Sequence, residues 1–463
     1  MWFLGIDIGT THLKTVGVTD EGTVLPAGRV RTPTVSHSGL TFHDAEEVWA
    51  RTSELVARYA ATTARPHGSL AGVCVASFGQ EEAVPVDARG QALYPSLAWW
   101  QKPARTALAP DTAELLDSYE HYRATGMRHR PAQTPERTAQ LRATRPELWR
   151  STALWADFGS FAVHRMTGHW TSAAAQLTHS QCFDLATLEP LSDIMRRLDV
   201  TPSMFPEPLH VGAVAGALRP DALPGVPLAG EVPVVTGGHD QVVAAHGVHR
   251  AGGARVLDSI GTSEYLMVAS DVYAPERRSW ELGIDHSRSW AADGYLLGHA
   301  TPTGKLVQLL ADLFYDGDFD ALFVALATQP PGPDSGLHVD LAGPDASDEG
   351  LLSISGLAPG LRAADLVRHA LDRVADRTRT VLDEMCAQAG IRPDAVALTG
   401  SLWRREEMAA HRQARWGIPL DVCSVPEPVA ESAARIARDA VLPDPAGTPP
   451  LNHPAESKEV GPQ

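Results

Sequence analysis

A chain of 463 residues has room for two to three domains at roughly 100–200 residues each, and 44% hydrophobic with 21% charged residues is the make-up of a globular protein in water. The formal net charge of −17 argues against non-specific binding to nucleic acid or anionic membrane, so an anionic ligand would need a local positive site. No apolar run reaches the ~20 residues of a membrane helix, no basic region precedes the N-terminal apolar run, and Cys74, Cys182, Cys386 and Cys423 are scattered; the expectation is a cytoplasmic protein.

The first element is a β-hairpin. Trp2-Phe3-Leu4-Gly5-Ile6 leads in and Leu13-Lys14-Thr15-Val16-Gly17-Val18 leads out, around Asp7-Ile8-Gly9-Thr10-Thr11. A glycine turn lets backbone N–H groups approach an anion, hydroxyls add donors, and an acid can hold a divalent cation through water. The turn suits a metal-bound polyphosphate; an ordinary surface hairpin has the same residue types.

Asp20-Glu21-Gly22 turns the chain into a third strand. Asp44 caps a helix with Val48, Trp49, Leu55, Val56 and Tyr59 at helical spacing. Leu70–Ala76 reads as a buried strand, Asp87–Gly90 as a turn, and 104–200 as largely helical. Val232-Pro233-Val234-Val235 is a short strand ending in the turn Thr236-Gly237-Gly238-His239-Asp240-Gln241, with a helix from Val242.

The plan then repeats. Asp258-Ser259-Ile260-Gly261-Thr262-Ser263 forms a second hairpin turn, a near copy of the first. A strand near Tyr295, a helix from Thr303, a long helix over Ala363–Ala389, the strand Ala395–Leu398, a helix near 404–416 and the strand Pro419–Val422 follow. Two equivalent turns could clamp one nucleotide from opposite sides. Residues 329–350 read as a loop. The first unit spans 1–248, the second 249–441, and the Pro/Gly-rich 442–463 reads as a disordered tail.

These strings, in this order, resemble the FGGY carbohydrate kinase family of the actin-like and hexokinase-like ATPase superfamily over most of 1–440. Asp7–Lys14 resembles its first phosphate motif and Ile260-Gly261-Thr262-Ser263 its second. Leu398-Thr399-Gly400-Ser401-Leu402-Trp403 resembles its adenosine motif. Gly304–Asp312 is similar to the helix beside the nucleotide, and His164-Arg165-Met166-Thr167-Gly168 to a further family segment.

The resemblance implies an α/β protein with two ribonuclease-H-like domains around a central cleft. It implies ATP and Mg²⁺, with transfer of the γ-phosphoryl group to a hydroxyl of a sugar, polyol or cyclitol. A homodimer stays open.

A sugar hydroxyl needs a carboxylate to accept its proton. Asp240, at the carboxyl end of a strand, matches the family's catalytic Asp; by itself it is also a helix cap. Asp7 would hold Mg²⁺ largely through water, with Asp240 as a second metal residue. Gly9, Thr10, Thr11 and Lys14 would face the phosphates from one turn, and Gly261, Thr262 and Ser263 from the other. Gly400 and Ser401 would border the adenosine, and Gly304 and Gln308 would flank the nucleotide; Gln308 is by itself also an ordinary exposed helix residue.

Gln80, Glu81, Glu82, Trp99, His239 and Gln241 would meet the sugar; a solvated acidic turn and core packing of Trp99 and Trp100 are the alternatives. The family's Trp-x-Asp-x-Arg is replaced here by Trp99-Trp100-Gln101-Lys102-Pro103, and its late Gly-Ala-Ala by Glu431-Ser432-Ala433-Ala434. Glu81-Glu82 stands where the glycerol kinase pattern has Arg-Glu, which disfavours glycerol. Two readings follow: an ATP-dependent carbohydrate kinase, and a non-catalytic sugar or nucleotide sensor on the same fold. The retained Asp7, Asp240 and both turns favour the enzyme.

Overall fold

The computed structural model describes residues 1–101, 107–130, 133–261, 263–291, 293–329, 337–341 and 352–442. Two six-stranded sheets carry the fold. The first contains β1 (Trp2–Ile8), β2 (His12–Thr19), β3 (Gly28–Arg31), β4 (Leu70–Ser77), β5 (Val214–Ala217) and β6 (Pro233–His239), in the order β5-β6-β4-β1-β2-β3. The second contains β7 (Val256–Ile260), β8 (Glu264–Ser270), β9 (Asp285–Arg288), β10 (Tyr295–Thr301), β11 (Val396–Thr399) and β12 (Leu420–Val422), in the order β9-β10-β8-β7-β11-β12.

Both sheets share one plan. A central strand pairs antiparallel with its hairpin partner on one side and parallel with a later strand on the other: β1 with β2 and β4, β7 with β8 and β11. A second parallel strand then extends each sheet, β6 beside β4 and β12 beside β11. Parallel strands need helices on both faces, and β1 and β4 are buried along their whole length. Trp2, Leu4, Ile6, Val73, Val75 and Val234 pack in one core; Val256, Ile260, Leu266, Val374, Leu382 and Leu398 pack in another.

Among the helices, α1 (Ala45–Tyr59) is capped by Asp44, whose Oδ1 accepts from Glu46 N at 2.9 Å. Then come α2 (Asp240–Gly252), α3 (Thr303–Phe314), α4 (Ala363–Ala389), α5 (Glu406–Trp416) and α6 (Pro428–Val441). Although α6 follows every strand of the second sheet, it packs on β1 and β4 of the first. The approach needs small residues: a Cβ at Gly5 would collide with Ala430 O, and one at Gly247 with Ser432 Oγ. Ser432 is accommodated by Gly247 opposite it.

Several sequence expectations change. Gly237 and Gly238 belong to β6 rather than to a turn; the ladder slips between Thr236 and Gly238, and Gly238 takes φ +96°. The helix after them starts at Asp240, two residues earlier than expected. The stretch 104–200 includes the short strands Leu154–Ala156 and Thr171–Ala173 among its helices. Within the stretch read as a loop, His338–Leu341 pairs antiparallel with Leu352–Ser355. The tail from 443 lies outside the described residues. Among the described residues no helix is long and apolar enough to cross a membrane.

Contacts also join the two halves. His286 N donates to Gly126 O at 2.7 Å, Tyr122 Oη to Ile284 O at 2.7 Å, and Arg130 Nη1 meets Asp285 Oδ2 at 2.7 Å. Each partner on the β9 side reaches the segment between β4 and β5.

Candidate active site

Three adjacent parallel strands end on one edge of the first sheet. Ser77 of β4 pairs with Ile8 of β1 and with His239 of β6. Asp7, the short helical turn Gln80–Glu82 and Asp240 therefore lie along the carboxyl ends of β1, β4 and β6. Ligand sites of α/β sheets form at such an edge.

Asp7 is 4% exposed. Burial pushes its carboxyl up to about 7; Lys14 opposes this, while Asp240 and Glu427 push the same way. Lys14 is Asp7's cross-strand partner, its Nζ 3.5 Å from Asp7 Oδ2 and 2.8 Å from Glu427 Oε2. Lys14 thus tethers the first hairpin to the start of α6. Around the turn, Thr32 takes the carbonyls of Gly9 and Thr11, and a Cβ on Gly9 would sit 2.8 Å from His12 O. Thr10 is partly exposed and Thr11 exposed.

At the neighbouring strand end, His239 caps α2. Its Nδ1 accepts from Gln241 N at 3.2 Å and lies 3.1 Å from Asp240 Oδ1. Burial lowers the proton affinity of His239, but the Asp240 carboxylate, with Glu81 and Asp157 behind it, outweighs that and raises it. Gln241 Oε1 is buried with no hydrogen-bond partner among the described residues.

Glu81 faces the same corner. Its Oε1 lies 3.3 Å from His179 Nδ1, and the rings of His179 and His239 are 4.9 Å apart. Burial opposes ionisation of Glu81, yet the hydrogen bond and charge of His179, with His239, hold its carboxyl down to about 2. Arg137 Nε donates to Glu81 O at 3.1 Å. Donor atoms of Glu81, His179 and His239 all lie within 4.8 Å of one another, so these three are also the metal-type cluster among the described residues. With the Arg137 guanidinium beside them, the trio is better matched to hydroxyls: a fixed acceptor between two imidazoles.

Glu82, expected to meet a sugar, is instead fully buried. Its Oε2 lies 2.7 Å from His43 Nδ1, and its Oε1 accepts from Trp99 N at 2.9 Å. The short helical turn points one acid outward and its neighbour inward. Trp99, pinned by Glu82 at its backbone, leaves its indole 39% exposed, edge-on to Trp100. Gln80 lies on the same turn; its side chain is outside the described residues, as are Thr262 and Lys102.

In the second sheet, Gly261 N donates to Ser263 O at 3.0 Å across the turn. Gly400 takes φ +101°, and a Cβ there would collide with Ile260 O. Glycine is what lets the 399–401 corner close onto the second hairpin. Ser401 and Gln308 are exposed, and Gly304 is half-buried; Gln308 Nε2 donates to Asp312 Oδ1 at 2.8 Å along α3.

Three residues near these turns carry no motif. His179 and Arg137 lie in the segment read only as helical. Arg412, 0% exposed, lies beneath the second hairpin with Glu264 and Asp258. One signal for Arg412 was present: Met408, Arg412 and Trp416 follow an i, i+4 spacing, so the arginine interrupts an apolar stripe.

Residues 2–247 match the N-terminal domain of the FGGY family of carbohydrate kinases. L-fuculokinase of Escherichia coli (strain K12) is 28% identical over 276 residues, 58% of this chain and 56% of its own length. The chain thus spans about half the length of the fuculokinase it matches. Glycerol kinase of Stenotrophomonas maltophilia (strain R551-3) is 27% identical over 482 residues, covering 95% of this chain and 90% of its own. Among solved structures, xylulose kinase from Rhodospirillum rubrum superposes with a TM-score of 0.82 at 21% identity, over 96% of this chain and 95% of that one. Plasmodium falciparum glycerol kinase with ADP gives 0.80 at 16% identity, over 95% and 89%. At such identities the structures establish the fold, two actin-like ATPase domains.

Proposed function

Because the chain belongs to the FGGY family of carbohydrate kinases, we propose that it transfers the γ-phosphoryl group of ATP to a hydroxyl of a neutral sugar, polyol or cyclitol. The observation that carries this reading is the alignment of Asp7, Glu81 and Asp240 on the carboxyl ends of three adjacent strands. The first phosphate-type turn and a sugar-type corner thereby share one edge. We assign 1–248 and 249–441 to the two domains, with α6 returning to brace the first.

In this mechanism Asp240 accepts the proton of the attacking hydroxyl. His239, 3.1 Å from its Oδ1, holds the carboxylate's orientation. Glu81, His179, His239 and the buried Gln241 Oε1 engage the substrate's hydroxyls, and exposed Trp99 offers it an apolar face. Gln80 belongs to the same corner by its position. The work is mostly positioning and charge neutralisation, since phosphoryl transfer asks little covalent help of a protein.

Thr10, Thr11, Gly9 and Lys14 bind the phosphates from the first domain; Gly261, Thr262 and Ser263 bind them from the second. Gly400 and Ser401 border the adenosine, and Gly304 and Gln308 flank the nucleotide. The residues fit a divalent cation: Asp7 is buried, and burial together with the charges of Asp240 and Glu427 pushes its carboxyl up against the opposing charge of Lys14. Asp7 and Asp240 would hold Mg²⁺, which neutralises phosphate charge when bound. Lys14 is positioned to exchange its Glu427 partner for a phosphate oxygen.

The test is an ADP-release screen over neutral ketoses, aldoses, polyols and cyclitols, each with its acid counterpart. Saturable, substrate-dependent ADP release with a neutral compound supports the reading. ATP binding without release for any polyhydroxylated compound contradicts it.

A further inference from the structure

Arg412 is fully buried, and so are both acids that it meets. Its Nη1 lies 2.6 Å from Glu264 Oε1 and its Nη2 3.0 Å from Glu264 Oε2, a two-pronged pair. The same Nη1 reaches Asp258 Oδ2 at 3.4 Å and Thr378 Oγ1 at 3.1 Å. Trp403 and Trp416 stand on its guanidinium at 5.1 and 4.8 Å. Thr303 Oγ1, at the first residue of α3, donates to Glu264 Oε2 at 2.6 Å.

These contacts have a common centre. Asp258 lies on β7 and Glu264 opens β8, so they stand on the two strands that flank the Gly261 turn. Thr303 immediately precedes Gly304, and Trp403 lies two residues past Ser401. One guanidinium therefore touches the second hairpin on both sides and the segment that borders the adenosine, and it reaches the helix beside the nucleotide through Glu264, which accepts from Thr303. We propose that Arg412 is a positioning residue for the nucleotide half-site, fixing the Gly261 turn through Asp258 and Glu264 and locking it to α3 through Thr303. The inference rests on the nucleotide site proposed above.

A purely structural role explains the cluster less well. Buried ion groups are commonly replaceable by packed apolar side chains at no loss of stability. Placing three of them directly under one turn costs desolvation that apolar residues would avoid. What the group supplies is direction: a planar fork has one orientation on a carboxylate, and two tryptophan faces hold its plane. Burial and the neighbouring Glu264 charge favour the proton-bearing form of Asp258, while Arg412 keeps Glu264 ionised, so the cluster closes as one neutral unit.

The test compares wild type with Thr303→Val and Arg412→Lys, reading KM for ATP, KM for the best sugar substrate, and thermal stability. Thr303→Val removes one hydrogen bond at nearly constant volume. It should raise KM for ATP about fivefold and leave KM for the sugar within about twofold, with the melting temperature little changed. Arg412→Lys keeps the charge and loses the fork, and should raise KM for ATP by about tenfold or more with the same split. If Arg412→Lys does not fold, Thr303→Val decides. Unchanged ATP KM in a folded Thr303→Val enzyme overturns the inference and leaves the kinase reading standing. Equal rises in both KM values that track lost stability overturn it too. A wild-type protein that binds no ATP overturns both the nucleotide site and this inference.

Discussion

Glu82 Oε2 lies 2.7 Å from His43 Nδ1 with both side chains out of solvent, while the adjacent Glu81 faces the cleft beside His179. Two neighbouring acids thus have different duties, and substitutions should separate them. Glu82→Gln perturbs a buried hydrogen bond to His43 and should cost about 1–3 kcal/mol of stability, with KM for the sugar nearly unchanged. Glu81→Gln should raise KM for the sugar with a much smaller loss of stability. Urea unfolding and steady-state kinetics on both variants check this; the same phenotype in both contradicts it.

The ionised Glu81 also sets substrate charge. A carboxylate on the substrate within a few ångströms of it meets a repulsion of about 1–4 kcal/mol, depending on screening. Neutral sugars should therefore have higher kcat/KM than their aldonic acids. Since Glu82 is buried, one carboxylate rather than two meets the substrate. A clear preference for an aldonate would sink it and direct attention to Lys102, in the segment that follows Trp100.

Gly400 should resist any side chain. Its φ of +101° and the clash of a Cβ with Ile260 O predict that Gly400→Ala pushes the 399–401 corner away from the second hairpin. ATP affinity should fall by about tenfold or more, as for a loss above ~1.4 kcal/mol, while sugar KM stays put. Calorimetric titration with ATP measures it, and unchanged affinity refutes the packing argument.

Stability should depend on four buried histidines. Burial pushes the imidazoles of His121, His246 and His299 down to about 4 and that of His286 to about 3, below their ordinary 6.5. Folded-state values below the unfolded one mean stability that is present above pH 6.5 and lost as pH falls toward 4. Near pH 5 these four alone give a slope of roughly 5 kcal/mol per pH unit. Urea unfolding at pH 6.5, 5.5 and 5 tests this; a flat profile is the contrary result.

The sequence was most legible where function depends on local backbone chemistry. Both Gly-Thr turns, the Asp44 cap and the His239-Asp240 strand end are short-range features, and residue types reveal them. Glu82 was misread because the facing of a three-residue helical turn is decided by His43 and the Trp99 backbone, 39 and 17 residues away. Arg412 meets Glu264 from 148 residues away, and α6 meets β1 across nearly the whole chain, so neither has a local signature. The Gly237-Gly238 pair reads as a turn in the sequence because a bulge inside a strand uses the same residues.

The most direct test of the account is Asp240→Asn, measured for phosphoryl transfer and for ATP binding in the same preparation. The amide keeps the size of the side chain and its place beside His239 but cannot take a proton. The account predicts a fall in kcat of about 10²–10⁴-fold, with ATP affinity within about threefold of wild type. A variant that turns over within threefold of wild type would contradict it and remove Asp240 from the reaction.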